Sequence, residues 1–527
     1  MNTASLGGGE EDFSSSPAFF SEAHVNSALY IGATGMKGLS QGMQVTTNNL
    51  ANVSTIGYKQ QNTLFSDMLS TSQGGTGDWW NAQENSRVAL GQTGKGVQVD
   101  AVRTIFQQGA LEATNTVTDM AINGKGFFQV SDGANLYYTR AGDFRPDNEG
   151  VWRTPTGLAL NGYQYNTDGS LGGLQEVKID RFGTMPAKST ARVDLTLNLN
   201  SNQNKTEDAD NPYFGLQGLY NAAGKPPLSS DSYAYSQAMT LYDADGKART
   251  VTAYFDGTPD STAGSMIEFV IAAGAAAGKT DADGNPVQPS EGDGLLMSGV
   301  LQFDASGRLT GMSAFTPSVE GSKNLADWQP AQLEGGLPQL NLDGAAMTVN
   351  FGISAAGGWQ NAPASAAEVG TDQSKLPSMG ADAVRAEGAT TAYNSSSPTG
   401  AYKQDGYAEG TLSTIGITPD GTVVGRYSNG QGQNLWQIPV CRFTSEDGLR
   451  REGSNLFSAT EEAGQMEMGV AGTENYGTVN AYNVENSNVD MATEMVNMII
   501  TQRGFQSNSK VVTTADQMLQ KAMELKR

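Results

Sequence analysis

The amino-acid sequence predicts a multidomain, mainly β protein whose N- and C-terminal α-helices pair in a coiled-coil-like arrangement. Three observations predict this fold class. Apolar residues recur at intervals of seven near both ends of the chain, turn dipeptides punctuate the region between, and glycine is abundant, at 65 of 527 residues. A chain of this length has room for several domains of about 100 to 200 residues each.

The N-terminal helix is predicted over 27–53, where the apolar residues form a seven-residue stripe and an interleaved seam. Four glycines in the same segment each weaken the helix by up to about 1 kcal/mol, but they allow a neighbour to approach closely. Residues 1–24 are rich in glycine, serine and acidic side chains, so we expect them to be disordered. The seven-residue stripe consists of Leu29, Met36, Met43 and Leu50, the interleaved seam of Leu39 and Val53, and the glycines are Gly32, Gly35, Gly38 and Gly42.

The C-terminal helix is predicted over 488–525 by a stronger repeat of the same kind. Its start carries a capping box, Ser487-x-x-Asp490, with Glu494 early in the helix, where the helix dipole favours negative charge. Neither stripe can be buried by its own helix, and pairing on assembly between subunits is favoured over an intramolecular helical hairpin. The stripe consists of Met491, Met498, Phe505, Val512 and Leu519, with Met495 on the second seam.

Hairpins are predicted between the helices by Asp-Gly and Asn-Gly dipeptides. Alternation of apolar and polar residues, as in 193–199 and 251–255, predicts strands with one buried face. The dipeptides begin at Asp132, Asp168, Asp245, Asp283, Asp343, Asp420 and Asn429.

Composition excludes most catalytic classes. The chain has one cysteine, Cys441, and one histidine, His24, so it cannot form a disulfide or a Cys/His zinc cluster, and a nucleophile–histidine pair would need His24. Cys441 lies in an apolar run and is predicted to be a small buried hydrophobe. We expect no catalytic, cofactor-binding or metal site.

The net charge of −23 argues against nucleic acid and anionic membrane as partners. No stretch approaches the roughly 18 to 20 apolar residues of a membrane span. The first residues lack the basic and apolar regions of a cleaved signal peptide. Export, if it occurs, is expected to follow another route.

Two long motifs at opposite ends of the chain resemble the signatures of the bacterial flagellar rod and hook family. The first is an N-N-x-A-N-x-x-T-x-G-[FY]-K box, and the second begins the C-terminal helix. The matching residues of the first motif are Asn48, Asn49, Asn52, Gly57, Tyr58 and Lys59. Those of the second are Asn486, Ser487, Asn488, Val489, Asp490, Gln502 and Arg503.

The intervening sequence is more similar to the hook members of this family than to its much shorter rod members. Residues 404–412 and 453–457 carry the similarity to the hook members, and 118–128 with 139–144 resemble the family's inner β-domain. We expect five parts, of which the first, 1–24, is predicted from composition and departs from the family, and the other four follow the resemblance. They are a disordered extension over 1–24, a terminal helical assembly domain over 25–56 plus 484–527, an extended linker over 57–98, a discontinuous inner β-domain over 99–185 plus 403–483, and an outer β-domain over 186–402 with two subdomains as an alternative.

The same resemblance implies a mechanical function. Copies of the chain would form a curved, flexible helical tube that couples torque from the rod to the filament. The implied partners are other copies of the chain, rod and hook–filament junction proteins, the hook cap and the export apparatus, and the implied location is the extracellular hook, reached without a cleaved signal peptide. The alternatives are a distal rod protein of the same family and, from another class, a secreted β-domain enzyme.

Overall fold

The computed structural model describes residues 17–68, 71–72, 92–200, 204–206, 208, 210–258, 265–274, 290–394 and 400–525. The chain divides into two compact units. The terminal unit comprises Met1–Gly183, Ser413–Arg426 and Gly432–Arg527, and the central unit comprises Thr184–Leu412 and Tyr427–Gln431.

Two long helices and one short helix are present in the described residues: α1 (Pro17–Ala51), α2 (Gly215–Leu219) and α3 (Met491–Leu525). The long helices α1 and α3 have 35 residues each and pack against each other. This arrangement, together with the strands below, confirms the predicted fold class. It also corrects the expectation that pairing waits for assembly, because the two helices pair within one chain.

Both helices begin elsewhere than predicted. Helix α1 starts at Pro17, so part of the segment predicted to be disordered is helical, while 1–16 lie outside the described residues. Helix α3 starts at Met491, and its cap is Asp490, whose Oδ1 accepts a hydrogen bond from the amide of Thr493 at 2.7 Å. A side-chain oxygen bonded to the amide three residues later is the usual N-cap, so Ser487 does not cap this helix.

Strands occupy most of the region between the long helices. The first twelve strands belong to the terminal unit: β1 (Gln61–Asp67), β2 (Thr71–Ser72), β3 (Gln92–Thr93), β4 (Val97–Thr104), β5 (Leu111–Ala113), β6 (Met120–Asn123), β7 (Phe128–Ser131), β8 (Leu136–Thr139), β9 (Arg145–Pro146), β10 (Trp152–Arg153), β11 (Ala159–Tyr165) and β12 (Leu171–Glu176).

The central unit contributes the next fourteen strands and the start of a fifteenth: β13 (Thr184–Met185), β14 (Arg192–Thr196), β15 (Tyr235–Tyr242), β16 (Ala248–Gly257), β17 (Met266–Ala273), β18 (Leu295–Phe303), β19 (Leu309–Pro317), β20 (Trp328–Pro330), β21 (Leu333–Glu334), β22 (Leu337–Leu342), β23 (Ala345–Asn350), β24 (Ile353–Ser354), β25 (Val384–Arg385), β26 (Ala401–Gln404) and β27 (Gly410–Ile417). The chain then returns to the terminal unit: β28 (Thr422–Tyr427), β29 (Gly432–Gln437), β30 (Pro439–Phe443), β31 (Arg450–Gly453), β32 (Leu456–Ser458), β33 (Met466–Val470), β34 (Thr478–Ala481) and β35 (Asn483–Glu485).

The terminal unit is built on an antiparallel sheet with the strand order β28-β29-β11-β7-β8-β32-β31. Beside it lies an aromatic core in which Phe127, Tyr138, Phe443 and Phe457 are buried. The rings of Tyr138 and Phe443 pack edge to face, with their centroids 4.7 Å apart. Cys441 is completely buried in the same core, and burial raises the pKa of its thiol to about 12. This confirms the structural interpretation of the cysteine.

The central unit contains a five-stranded sheet (β21-β22-β23-β14-β26) and a six-stranded antiparallel sheet (β15 to β20 in chain order). Side chains of both sheets, among them Leu195 and Met347 from the first and Phe255 and Phe269 from the second, form one buried cluster. The predicted Asp-Gly and Asn-Gly turns join adjacent strands at every described site, each with its glycine at positive φ, whereas Asp283 lies outside the described residues.

The segment predicted to be an extended linker, 57–98, contains paired strands in its described part. Strand β1 pairs antiparallel with β4, from Gln61 opposite Thr104 to Asp67 opposite Val97. Residues 69–70 and 73–91 lie outside the described residues. The segment is therefore part of the terminal unit's β-structure rather than a simple spacer.

Candidate assembly interface

Helices α1 and α3 approach closely because glycine lies at their contact points. A Cβ atom placed on Gly32 would be 2.7 Å from Cγ2 of Val512, and one on Gly35 would be 2.8 Å from Nδ2 of Asn508. On the other helix, Gly504 faces Cδ1 of Leu39. Carbon atoms in ordinary contact are about 3.5 to 4.0 Å apart, so a larger residue at Gly32 or Gly35 would require Val512 or Asn508 to move.

The remaining glycines of α1 face the β1–β4 pair. A Cβ on Gly38 would lie 3.4 Å from Cε1 of Phe65, and one on Gly42 would lie 3.3 Å from Cζ of the same ring. The sequence predicted a close neighbour for these glycines, and the structure supplies two, since α3 covers one end of the glycine row and a strand covers the other.

Some residues of the predicted apolar stripes are partly buried, and others are exposed. On α1 all five predicted residues are partly buried, as are Met498, Val512 and Leu519 on α3. The other three, Met491, Met495 and Phe505, are exposed, the first two to about one half and Phe505 to 37%. The face of α3 that meets α1 also carries Glu494, Gly504, Asn508 and Ala515. The seven-residue apolar repeat does not include these positions.

A second set of apolar side chains lies exposed near the start of α3. Val496, Ile499 and Ile500 are 55%, 50% and 63% exposed and share this region with Met491 and Met495. We call these five residues the apolar face of α3. Three of them fall outside the seven-residue repeat, so the sequence analysis missed them.

Polar side chains of the first family motif join the base of α1 to α3. Asn49 is buried, and its Nδ2 donates to the carbonyl of Gln61 at 2.7 Å and to Oε1 of Glu494 at 3.5 Å. Its Oδ1 accepts from the hydroxyl of Tyr58 at 3.1 Å and from the amide of Gln61 at 3.0 Å. Gln60 also donates to Glu494, so this glutamate fixes the first turns of α3 against the chain that follows α1.

Below this cluster lie three buried charges. Nζ of Lys59 is 2.6 Å from Oε1 of Glu485, and NH1 of Arg140 is 3.2 Å from Oε2 of the same carboxylate. Lys59 also donates to the carbonyl of Gln107, and Arg140 donates to those of Ile122 and Gly124. Burial lowers the pKa of the Lys59 ammonium, and the charge of Glu485 opposes this shift.

These three residues come from the first family motif, from β35 and from the turn after β8. The triad therefore ties the two ends of the chain to the β-sheet at one point. The sequence identified Lys59 as a motif residue and placed Arg140 in the segment 139–144 that resembles the inner β-domain. It did not predict that both would meet Glu485, because their meeting depends on tertiary structure.

Most other motif residues hold the same junction. The amide of Gly57, at φ +70°, donates to the carbonyl of Glu485 at 2.7 Å, and a Cβ there would lie 2.5 Å from the backbone nitrogen of Ala141. Asn488 accepts from the amide of Gln60 and donates to the carbonyls of two residues after β4. In addition, Asn48 donates to Tyr58, Asn52 to the carbonyl of Asn48, Asn486 to Glu112, and the amide of Val489, a buried residue, to Ser487.

Two motif residues lie away from the junction. Gln502 and Arg503 are both exposed on α3. The motif residues thus divide into a set at the junction, of which Asn49, Gly57, Tyr58, Lys59 and Val489 are buried, and an exposed pair farther along α3.

Four family models match the chain in order. They are the flagellar basal body rod protein model over 29–59, the flagellar hook protein FlgE/F/G D1 domain over 121–192, the flagellar basal body protein FlaE D2 domain over 198–407, and the flagellar basal body rod FlgEFG protein C-terminal model over 481–525. The chain belongs to the flagellar hook and rod family. The motifs of the N-terminal junction fall within the first model, and α3 falls within the last.

Relatives in this family are similar over nearly the whole chain. The flagellar hook protein FlgE of Borreliella burgdorferi is 29% identical over 95% of this chain and 99% of its own length. The FlgE proteins of Treponema pallidum and Escherichia coli K12 are 27% and 28% identical over 95% and 94% of this chain and 99% and 98% of their own lengths. A solved structure of Helicobacter pylori flagellar hook protein FlgE2 aligns with 71% of this chain and all of that chain, at 14% identity and a TM-score of 0.42.

The described residues offer no alternative site of metal chemistry. Among them, no group of three or more histidine, cysteine, aspartate or glutamate side chains is placed to hold a metal ion. Within the same part of the chain, none of the helices combines the length and apolar composition needed to cross a membrane. The junction of the two termini and the apolar face of α3 are therefore the features that a functional proposal has to explain.

Proposed function

We propose that this chain is the structural subunit of a bacterial flagellar hook and that copies of it assemble through their terminal helices into a curved, flexible, hollow tube. The tube transmits torque from the rod to the filament. Its function is mechanical rather than enzymatic, because the family is structural. The buried charges among the described residues hold the termini against the β-sheet.

The observation that carries the assembly proposal is the apolar face of α3. Its five side chains are each at least half exposed, although the same helix already buries another face against α1. An apolar patch of this kind on a soluble chain marks an interaction site. In a polymer, the face of one copy would pack against a different surface of the next copy, and such heterologous contacts produce an open helical filament.

The partners and the route to the hook follow from the proposed function. We propose that the tube joins rod proteins at one end and hook–filament junction proteins at the other, and that it grows under a hook cap. The subunit would reach this extracellular position through the flagellar export apparatus without a cleaved signal peptide. The five-part domain organisation predicted from the sequence is retained as a proposal, with helix α1 starting earlier and with β1 inside the former linker.

The proposed assembly face is tested by Ile499→Asp. A carboxylate buried without a partner costs several kcal/mol, and the penalty recurs at every subunit of a polymer. We expect tubes to be lost under polymerising conditions, as judged by sedimentation and electron microscopy, while the circular dichroism spectrum and thermal unfolding of the monomer stay unchanged.

A matched control is Asn497→Asp, which adds the same charge to an exposed position on the same turns but away from the apolar face. This variant should polymerise like the unmodified chain. Normal tubes from Ile499→Asp would exclude the apolar face of α3 as an assembly surface.

A further inference from the structure

Two carboxyl groups are buried side by side in the central unit. They play no part in the assembly proposed for the helical termini. Asp256 on β16 and Glu268 on β17 are register partners, and they are 0% and 2% exposed. Within the described ranges, no lysine or arginine forms an ion pair with either carboxyl group. The groups that contact them come from the segment 204–206 and from the start of α2.

Thr206 lies between the two carboxyl groups. Its Oγ1 is 2.6 Å from Oδ2 of Asp256 and 3.0 Å from Oε1 of Glu268, and its side chain is buried. A threonine hydroxyl has one hydrogen and can donate only one hydrogen bond. Two ionised carboxylates would compete for this hydrogen, so one of the two short contacts requires a second proton.

The backbone donors decide which carboxyl group is charged. Oδ2 of Asp256 accepts from the amides of Lys205 and Thr206 at 2.9 and 2.7 Å, in addition to the Thr206 hydroxyl. Oε1 of Glu268 accepts one amide hydrogen bond, from Leu216 at 3.1 Å. A carboxylate is stabilised by each donor, so the hydrogen bonds favour the negative charge on Asp256 and the proton on Glu268.

We propose that Asp256 and Glu268 share one proton through the hydroxyl of Thr206, and that this proton fastens the segment 204–206 and helix α2 to the six-stranded sheet. The Glu268 carboxyl donates to Thr206 Oγ1, and the Thr206 hydroxyl donates to Asp256. When the proton is lost, two negative charges face one hydroxyl in a buried site. The fastening then weakens, and the pair acts as a pH-sensitive latch.

The surroundings of Glu268 favour the neutral form. Burial is the main cause that raises the pKa of Glu268 to about 8, with a further increase from the charge of Asp256, whereas the hydrogen bonds from Thr206 and from the Leu216 amide act in the opposite direction. No side chain of α2, whose sequence is Gly-Leu-Gln-Gly-Leu, carries a charge, and the register partner of Glu268 on β18 is the apolar Val300. The ammonium of Lys205 is exposed and donates to the carbonyl of Ser230.

The sign of the pH dependence follows from these values. In the unfolded chain Glu268 has its ordinary pKa of 4.5, and in the folded chain the pKa is about 8. Between these two values the folded chain holds a proton that the unfolded chain has released, so stability falls as the pH rises. The folding equilibrium constant should decrease about tenfold per pH unit in this window and level off above it.

The test compares urea unfolding of the full-length chain with that of Glu268→Gln from about pH 5 to about pH 9. The amide of glutamine keeps a donor at every pH. The folding equilibrium constant of the unmodified chain should therefore fall about tenfold per pH unit relative to that of the variant. Glu387→Gln, at an exposed position of the same unit, should follow the unmodified chain. Parallel pH profiles for the unmodified chain and Glu268→Gln would overturn the proposal.

A measurement on the unmodified chain covers the case in which Glu268→Gln does not fold. With ¹³C-labelled glutamate, one side-chain carboxyl resonance should titrate near pH 8, well above the others, and protease cleavage within 204–219 should rise over the same range. Titration of every glutamate carboxyl in the ordinary acidic range would refute the latch. A requirement for a divalent cation to hold the segment, shown by cleavage on adding a chelator at pH 6, would also refute it.

Discussion

Lys59, Glu485 and Arg140 form a salt-bridge triad in which every side chain is at most 2% exposed. Each charge is also compensated by backbone groups, since the amide of Gly109 donates to Glu485 and carbonyls accept from the two cations. A buried ion pair adds little net stability compared with an apolar cluster, but removing one partner leaves an uncompensated charge. The triad is therefore suited to specifying where both termini meet the sheet.

Glu485→Gln tests the triad. The substitution leaves two buried cations without their carboxylate and should lower the free energy of unfolding of the terminal unit by about 3 to 5 kcal/mol, measured by urea denaturation. Glu149→Gln removes the carboxylate of an exposed pair with Lys178 and should change the same quantity by less than about 1 kcal/mol. Equal effects of the two substitutions would mean that the triad contributes no more to the free energy of unfolding than an exposed ion pair does.

The individual residues also show where sequence reasoning succeeds. Cys441 could be predicted to be a buried hydrophobe because its neighbours in the chain are apolar, and Ile438, Val440 and Cys441 are all buried. Glu494 could not be assigned correctly, because the helix dipole explains an acidic residue in a first turn without any partner. Its hydrogen bonds to Asn49 and Gln60 depend on chain segments more than four hundred residues away.

At the scale of elements, the two long helices were predictable and their contact was not. Seven-residue spacing reports that one side of a helix is apolar, so α1 and α3 followed from it. The surface that joins them is built from Gly32, Gly35 and Gly504, whose effect comes from the absence of a side chain. The spacing also could not distinguish Met498, which is partly buried, from Met495, which is exposed.

The helix contact is tested by Gly32→Val. The new side chain would collide with Val512, and overpacking of this kind costs about 1 to 3 kcal/mol. We expect faster amide hydrogen exchange in α3 around 508–515 and earlier proteolysis of both termini. Ala33→Val introduces the same side chain at the adjacent, exposed position and should leave both measurements nearly unchanged. Equal protection in the two variants would contradict close packing at Gly32.

At the scale of the whole molecule, the chain consists of two units, and both of its ends lie in the same one. The central unit is a continuous insertion apart from five residues, Tyr427–Gln431. The two ends of this insertion meet where β13 pairs with β27. In the proposed polymer, this organisation leaves α1 and α3 together in the unit that makes the repeating contacts.

In the proposed helical tube, the apolar face of α3 joins neighbouring copies. The most direct measurement is a cryo-electron microscopy reconstruction of tubes polymerised from the purified full-length chain, at a resolution that places side chains on α3. The account predicts a hollow tube in which Met495, Ile499 and Ile500 of each copy are covered by another copy, while α1 and α3 keep their glycine contact. A tube in which these side chains face solvent, or a pure chain that forms no tubes under polymerising conditions, would contradict it.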